Sequence, residues 1–321
     1  MPGRKTVSEE DLVDLHGKVA IVTGGNTGVG YATIQMMARN GAKVYMAARD
    51  EGRAMEAIEK LKKEGINDGS VHWLKLDLSD PRMAQSAGKE FLGKEQRLDI
   101  LVNNAARGSF GPYKLDKDGL LDIMVTNHIS HFVLTETLLP LMKTTAKEPD
   151  SDVRVVNVSS LAHTRVKPES YATKDSLNKD YGESVGGYLD TYGNSKLANV
   201  LHIKELQKRL NSESIPITCI SAHPGAIKTV GSDGFLASLP YFGWIIKNYI
   251  GPLFFGPWRK GAMTVGYAAA GKEVKEQREK WQGVYLTPIA TITKPSQYAL
   301  DERLAKELYD TTEKVVKDLG L

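Results

Sequence analysis

Short apolar runs alternate along this chain with amphipathic stretches that are long enough to form helices. The first run, 18–24, is rich in β-branched residues, ends in glycines and precedes a helix-like stretch over 31–40. Comparable runs recur at 42–49, 71–78, 98–106, 153–160, 216–225 and 283–288, with helix-like stretches at 51–65, 117–143 and 191–210. Apolar strands that alternate with helices are typical of a parallel sheet covered on both faces. The pattern predicts a single doubly wound α/β domain of Rossmann type, with about seven strands, over residues 1–321.

Two stretches interrupt this alternation. Residues 161–190 are polar and follow the fifth strand, whereas residues 226–260 follow the sixth and hold eight of the chain's 24 aromatic residues. Both would leave the carboxyl ends of strands, which is the edge of an open α/β sheet where ligands bind. We interpret 161–190 as an insertion and 226–260 as a mobile substrate lid that closes over a hydrophobic substrate. The alternative for the lid aromatics is packing in the core or in a subunit interface.

Charge and cysteine content exclude several classes of function. The net charge is +3 in 321 residues and no basic block is present, so a nucleic acid is not an expected partner. The single cysteine, Cys219, rules out an internal disulfide and a thiolate metal cluster, and we expect it to lie in the core. The N-terminal residues lack the apolar segment of a signal peptide, and no apolar run is long enough to span a membrane. We expect a soluble, cytoplasmic protein.

A glycine-rich turn, TGGNTGVG, lies between the first strand and the first helix. Its glycines would let the backbone turn tightly and approach a pyrophosphate, which the amide groups and the positive end of the helix would hold. A strand before the turn and a helix after it favour this interpretation over an ordinary strand–helix turn. The sequence therefore predicts a dinucleotide site that includes Thr23, Gly24, Asn26, Thr27, Gly28, Val29 and Gly30.

The end of the second strand bears on the choice of coenzyme. In this fold it lies near the adenosine ribose, about 20 residues past the glycines. The guanidinium of Arg49 at this point can pair with the 2′-phosphate of NADP, and Arg53 could assist. A carboxylate there would instead suit NAD, and Asp50 keeps that alternative open. We predict NADP as the cofactor, with NAD as the alternative.

Polar residues also follow the third and fourth strands. Asp77 and Leu78 end the third strand and could contact the adenine ring, and Asn104 and Ala105 end the fourth. Taken singly, each of these residues could equally cap a loop. We include all four in the predicted cofactor site because the ends of parallel strands meet at one edge of the sheet.

A tyrosine and a lysine, Tyr192 and Lys196, are four residues apart in a predicted helix and therefore share a face. A nearby cation favours a phenolate, so this spacing makes the tyrosine a usable acid or base. Ser160, at the tip of the fifth strand, could hydrogen-bond a substrate oxygen. In isolation such a pair is commonly an amphipathic surface pair, but here it accompanies the glycine turn and the serine.

From about Lys18 to Thr229 the sequence resembles the short-chain dehydrogenase/reductase superfamily. TGGNTGVG is similar to the family's TGxxxGxG, the NNA segment at 103–105 to its NNAG, and YGNSK at 192–196 to its YxxxK. HPGAIKT at 223–229 resembles the segment that follows the sixth strand in the family. Segments around Ser160 and Tyr192 resemble the retinol dehydrogenase-like and fungal secondary-metabolism branches. Ala106 replaces the last glycine of NNAG, and 32 positions separate Ser160 from Tyr192 where typical members have about a dozen.

The resemblance implies a role for each matching residue. Tyr192 would be the proton donor, Lys196 would modulate the phenol and bind the ribose, and Ser160 would orient the carbonyl; Ser159 is the competing serine. Asn127 would hold a proton-relay water. Ile227 and Thr229 would hold the nicotinamide amide.

The predicted function is NADP-dependent interconversion of a carbonyl and an alcohol on a hydrophobic small molecule. The alternatives are an NAD-dependent alcohol dehydrogenase and a non-catalytic dinucleotide-sensing protein. No metal site is predicted, because His128 and His131 lack a neighbouring carboxylate or cysteine and suit packing or capping better. Family members commonly dimerise through long helices, here 117–143 and 191–210, so a homo-dimer or tetramer is expected.

Overall fold

The computed structural model describes residues 7–108, 113–225 and 258–321. Most of the predicted lid, and with it Ile227 and Thr229, therefore lies outside the described residues. Only the last three residues of 226–260 are described, and they open the helix Trp258–Ala270.

A single sheet of eight strands, in the order β3-β2-β1-β4-β5-β6-β7-β8, runs through the described part of the chain. The strands are β1 Val19–Thr23, β2 Lys43–Ala48, β3 Ser70–Lys75, β4 Ile100–Asn103, β5 Val153–Val158, β6 Ile217–Ala222, β7 Tyr285–Thr287 and β8 Thr291–Ile292. The first seven are parallel and β8 is antiparallel to β7. The predicted doubly wound fold is confirmed. The expected count of about seven misses β8, since two exposed residues that close a hairpin give no periodic signal.

Helices cover both faces of this sheet. They are α1 Gly28–Arg39, α2 Glu51–Glu64, α3 Pro81–Leu92, α4 Asp122–Met124, α5 Ser130–Thr145, α6 Lys174–Leu177, α7 Val185–Ser212, α8 Trp258–Ala270, α9 Lys272–Glu276, α10 Arg278–Trp281 and α11 Glu302–Asp318. Successive strand residues such as Ile21 and Val22 belong to different core clusters, so the strands are buried on both faces. This explains why they read as continuous apolar runs.

The polar insertion is more ordered than its composition predicts. It contains a 3₁₀ turn, Leu161–Arg165, and α6, and its last residues already belong to α7, which begins at Val185 rather than at 191. Two of its large apolar side chains, Tyr171 and Leu177, are fully buried in the core. The interpretation of 161–190 as an insertion outside the regular elements is therefore corrected at its C-terminal end, where two consecutive glycines, Gly186 and Gly187, weaken the helical pattern.

The C-terminal helix α11 packs against α7. Arg209 of α7 contacts Asp310 at 2.5 Å and stacks its guanidinium 3.8 Å from the ring centroid of Tyr309. Part of the surface of α7 is thus covered within the chain itself. Dimerisation through the long helices stays a prediction, and any such interface would have to include α11 or avoid it.

Candidate active site

The glycine turn packs tightly against the end of β4. Gly24 has a φ of +64°, and a Cβ at Gly30 would lie 2.5 Å from both the Gly24 carbonyl oxygen and Nδ2 of Asn104. No side chain fits at either position. The close approach of turn and strand end is thus possible only with glycine, which is the property a backbone cradle for a pyrophosphate requires.

Hydrogen bonds fix the two strand ends to each other. Asn104 Nδ2 donates to the Thr23 carbonyl at 2.8 Å, and the backbone amides of Asn104 and Ala105 both donate to Thr23 Oγ1 at 2.9 Å. Thr23 is fully buried. In the predicted dinucleotide site, Thr23 therefore holds the glycine turn and the NNA segment in place. Exposed atoms next to Thr23, rather than its own side chain, would contact the dinucleotide.

The remaining predicted cofactor residues line the same edge of the sheet. At the N-cap of α1, the side chain of Thr27 makes no capping hydrogen bond within the described part of the chain, so the first turn of the helix keeps its N–H groups for another partner. Asp77 is half-buried and accepts a hydrogen bond from the Ser79 amide at 2.9 Å, and the carbonyl of Leu78 accepts one from Ser130 at 2.9 Å. These residues fit a dinucleotide laid across the ends of β1 to β4.

At the end of β2, the two candidate charges differ in what they already bind. Asp50 is the N-cap of α2 and accepts a hydrogen bond from the Arg53 amide at 2.9 Å. Arg49 is exposed and makes neither a hydrogen bond nor an ion pair with any residue that the structure describes. The carboxylate is thus engaged in capping a helix, while the guanidinium has no partner among the residues that the structure describes.

Tyr192, Lys196 and Ser160 converge although 32 positions separate the serine from the tyrosine. Lys196 is 1% exposed, its Nζ donates to the Val158 carbonyl at 3.0 Å, and it lies 5.6 Å from the centroid of the Tyr192 ring. Ser160 lies close enough to Tyr192 for its hydroxyl to favour the phenolate form of the tyrosine. The 3₁₀ turn Leu161–Arg165 directly after Ser160 packs against α7, so the serine and the tyrosine meet despite the insertion.

Burial sets the proton affinities of this pair. It raises the pKa of Tyr192 to about 12, an effect that the hydrogen bond from Ser160 opposes, and it lowers the pKa of Lys196 to about 7. In both cases the dry surroundings disfavour the charged form. The tyrosine therefore carries its proton at neutral pH, as a proton donor must.

The structure distinguishes the two neighbouring serines. Ser159 is 2% exposed and its Oγ donates to the Lys196 carbonyl at 2.8 Å, so it joins β5 to α7. Ser160 is half-buried and faces Tyr192. This arrangement favours Ser160 as the residue that meets a substrate.

A close helix contact brings Ser160 to its position. At Gly193, directly after Tyr192, a Cβ would lie 2.5 Å from the carbonyl oxygen of Ala162. Ala162 in turn donates its amide to Ser160 Oγ at 3.2 Å. The missing side chain thus lets the 3₁₀ turn that follows Ser160 lie against α7.

Asn127 lies in a break of its helix. The turn Val125–Ile129 between α4 and α5 is a π-helix, a local widening that is frequent at functional sites. The side chain of Asn127 accepts a hydrogen bond from the Arg107 amide at 2.7 Å and donates to the Arg107 carbonyl and to Ser195 Oγ, both at 3.0 Å. Ser195 Oγ donates to the Tyr192 carbonyl at 2.8 Å. Asn127 is therefore joined to the tyrosine helix through Ser195, a link that the spacing of the motif did not reveal.

Two buried aromatic side chains complete the wall beside Ser160. His163 donates from Nδ1 to the Ser160 carbonyl at 2.7 Å and accepts the Ser296 amide at 3.1 Å. Its ring lies edge-on to Tyr285, with centroids 4.9 Å apart. The sequence did not predict His163 or Tyr285 in the site, because their contacts join segments more than 100 residues apart.

The other candidates have structural partners. His128 contacts Thr312 Oγ1 at 3.0 Å, and His131 lies between Thr23 and Asn127. In the described ranges no group of three His, Cys, Asp or Glu side chains could hold a metal ion. Cys219 is fully buried in β6, as predicted.

Comparisons with known proteins agree with this geometry. A family model described as short chain dehydrogenase matches residues 18–173. A short-chain dehydrogenase/reductase of Armillaria gallica is 45% identical, with 96% of each chain covered, and one of Colletotrichum higginsianum is 40% identical over 96% of this chain and 77% of its own. The chain belongs to the short-chain dehydrogenase/reductase family of oxidoreductases, and the predicted resemblance to fungal members is confirmed.

Solved structures and more distant relatives extend the comparison. An uncharacterised protein from Mycobacterium paratuberculosis is 28% identical, covers 97% of this chain and 98% of its own, and has a TM-score of 0.72. The structure of Pseudomonas aeruginosa RhlG with NADP shares the fold at 24% identity, 90% and 99% coverage and a TM-score of 0.64. A chloroplastic short-chain dehydrogenase TIC 32 B of Brassica napus is 35% identical over 96% of this chain and 91% of its own. Within the described ranges, no helix combines the length and the apolar character that crossing a bilayer requires.

Proposed function

We propose that this chain is an NADP(H)-dependent reductase of a carbonyl group on a hydrophobic small molecule, or the corresponding alcohol dehydrogenase. The observation that carries the proposal is the convergence of Ser160, Tyr192 and Lys196 at the sheet edge where the glycine turn and Arg49 also lie. When bound, the coenzyme would supply a hydride. The chain's own residues would orient the carbonyl and donate a proton.

Each polar group of the site has one task in this proposal. The Ser160 hydroxyl donates to the carbonyl oxygen and orients it, and Tyr192, which is protonated at neutral pH, delivers its proton to the same oxygen as negative charge develops there. Lys196 as an ammonium would stabilise the phenolate that remains. Asn127, fixed through Arg107 and Ser195, would hold the water that returns a proton.

NADP is proposed rather than NAD because of the contrast between Arg49 and Asp50. An exposed guanidinium without a described partner is suited to a 2′-phosphate, whereas Asp50 is engaged as a helix cap. The RhlG structure was solved with NADP, and a blue fluorescent protein from a metagenomic library with NADPH, at 24% identity each. These neighbours share the fold and are consistent with the proposal.

A hydrophobic substrate is proposed because an apolar side chain remains exposed next to Ser160. Leu161 follows the serine directly and is 54% exposed. Burying such apolar area against a ligand is worth about 25 cal/mol per Å². Bulky apolar ketones and aldehydes should therefore be preferred to small polar ones.

The decisive experiment is NADPH oxidation with a panel of ketones, aldehydes and quinones, followed by Tyr192→Phe on the best substrate. Loss of the proton donor should lower kcat at least about 100-fold, while the Kd for NADPH stays within a few-fold. Tyr45→Phe is the matched control, because it also removes a buried, hydrogen-bonded hydroxyl, here one bound to Glu95. A Tyr192→Phe variant that keeps more than about a tenth of the wild-type kcat would contradict the assignment.

The coenzyme is tested by Arg49→Ala. The wild type should prefer NADPH to NADH, and the variant should lose about 1.5–3 kcal/mol of this preference, the range for a charge-assisted bond. Lys147→Ala removes an equal charge at the far end of α5 and should leave the preference unchanged. Equal kcat/KM for both coenzymes in the wild type would refute the predicted preference for NADPH.

A further inference from the structure

A buried histidine connects the glycine turn to Asn127. His131, 2% exposed, lies in the first turn of α5 and contacts Thr23 Oγ1 through Nε2 at 2.9 Å and the Asn127 carbonyl through Nδ1 at 3.2 Å. His131 belongs neither to the glycine turn nor to the helix that carries Tyr192 and Lys196. Its two ring nitrogens therefore bridge elements that the backbone does not join.

The other partners of Thr23 fix the direction of these hydrogen bonds. Its hydroxyl oxygen already accepts from the amides of Asn104 and Ala105, so its own proton is the only one left for the histidine. Nε2 of His131 must then accept, and Nδ1 must carry the proton and donate to Asn127. Burial lowers the pKa of His131 to about 3, and the nearby Lys196 acts in the same direction, so the ring stays neutral and this tautomer persists.

These contacts close a ring of hydrogen bonds. It starts at Thr23, which accepts hydrogen bonds from the amides of Asn104 and Ala105, and the backbone then continues to Arg107. The backbone of Arg107 is hydrogen-bonded to the Asn127 side chain, and His131 connects the Asn127 carbonyl back to Thr23. Asn127 lies in the π-helical turn, where backbone hydrogen bonds run between residues five apart rather than four, and its carbonyl also contacts the His131 ring. His131 is the side chain that holds this carbonyl.

We propose that His131 is a positioning residue that fixes the Asn127 carbonyl relative to the glycine turn, and so couples dinucleotide binding to the geometry of proton transfer. The inference rests on the proposed function. It assigns no contact between His131 and substrate or coenzyme. Its effect is transmitted through Thr23 on one side and Asn127 on the other.

Two conservative variants separate these sides. In His131→Asn the amide nitrogen can occupy the place of Nδ1 and keep the bond to Asn127, but nothing reaches Thr23. In His131→Gln the amide oxygen can occupy the place of Nε2 and keep the bond from Thr23, but the donor to Asn127 is lost. His131→Phe removes both bonds and keeps the ring volume.

The measurements are the Kd for NADPH by fluorescence titration, kcat on the best panel substrate, and the melting temperature. We expect His131→Asn to weaken NADPH binding about tenfold and to keep kcat within about threefold of the wild type. His131→Gln should lower kcat about tenfold and keep the Kd for NADPH within about threefold, and His131→Phe should show both losses. His128→Phe is the control, because it removes a neighbouring buried imidazole whose hydrogen-bond partner among the described residues is Thr312. This variant should lower stability but change neither the Kd nor kcat. Equal losses in the Asn and Gln variants, or losses no larger than in His128→Phe, would overturn the proposal.

A spectroscopic readout keeps this inference separate from the proposed function. The ¹⁵N shifts of the His131 ring, assigned by difference from His131→Asn, should report a neutral ring protonated at Nδ1 in the protein without coenzyme. Protonation at Nε2 would break the ring of hydrogen bonds and refute the inference. If the ring has the expected tautomer but the wild type binds neither NADPH nor NADH, the proposed function fails instead.

Discussion

Replacing Gly193 by alanine tests whether the site depends on the close contact between α7 and the turn after Ser160. A Cβ at this position would lie 2.5 Å from the Ala162 carbonyl oxygen, whereas an ordinary carbon–oxygen contact is about 3.3 Å. The 3₁₀ turn must therefore move away from α7 by about 0.8 Å. Because the Ala162 amide is bonded to Ser160 Oγ, the serine moves with it.

The expected consequences follow from the size of this displacement. A misplacement of about 1 Å in a catalytic group can lower the rate about 100-fold, so kcat on the best panel substrate should fall by roughly that factor. Overpacking should also cost about 1–3 kcal/mol of stability. NADPH binding should change little, because the glycine turn and the NNA segment are held in place by hydrogen bonds to each other.

Gly186→Ala supplies the matched control in the same helix. The nearest atom to a Cβ there is Ser184 Oγ at 3.6 Å, an ordinary contact. With room for the methyl group, the gain in helix propensity should stabilise this variant by about 0.5–1 kcal/mol. If Gly193→Ala keeps kcat within about threefold of Gly186→Ala, the argument that this contact sets the position of Ser160 is wrong.

Two further predictions concern Ser160 and Lys196. Ser160→Ala should lower kcat about 100-fold, whereas Ser159→Ala should mainly lower the melting temperature because its hydroxyl bonds the Lys196 carbonyl; the reverse order in kcat would exchange their roles. Burial depresses the pKa of Lys196 from 10.5 to about 7. Between these two pH values the folded protein binds fewer protons than the unfolded chain, so its stability decreases as the pH falls from 10.5 to 7. Lys196→Met should therefore raise the melting temperature relative to wild type more near pH 7 than near pH 10, and a pH-independent difference would contradict the depressed pKa.

The local parts of the site could be predicted from sequence because their geometry is set by nearby residues. A glycine turn between a strand and a helix has few conformations, and residues four apart in a helix share a face, so Gly24, Gly30, Tyr192 and Lys196 lie where expected. The alternation of strands and helices also fixed which strand ends share an edge. These inferences need only the period of each element.

The contacts between distant segments could not be predicted in the same way. Arg154 is fully buried in β5, where its guanidinium donates to the carbonyls of Ala268 and Gly271 at the end of α8 and binds Asp152. A strand arginine between apolar residues has no periodic signal for such a role. The polar composition of 161–190 likewise concealed the buried Tyr171, whose hydroxyl contacts Asn194 at 2.5 Å and anchors the insertion to α7.

The opposed pKa shifts of Tyr192 and Lys196 bear on the order of events in the proposed reaction. Before the proton leaves, the dry site favours a neutral phenol and resists a charged lysine. Once a phenolate forms, an ammonium at the observed 5.6 Å from the ring would attract it by about 3 kcal/mol at an effective dielectric constant of about 20, equivalent to about 2 pKa units. The attraction exists only when both groups are charged, so it stabilises the state after proton donation and not the resting one. The proximity of Lys196 to Tyr192, rather than burial itself, is thus the source of selective stabilisation for the later state, which is how binding energy accelerates a reaction.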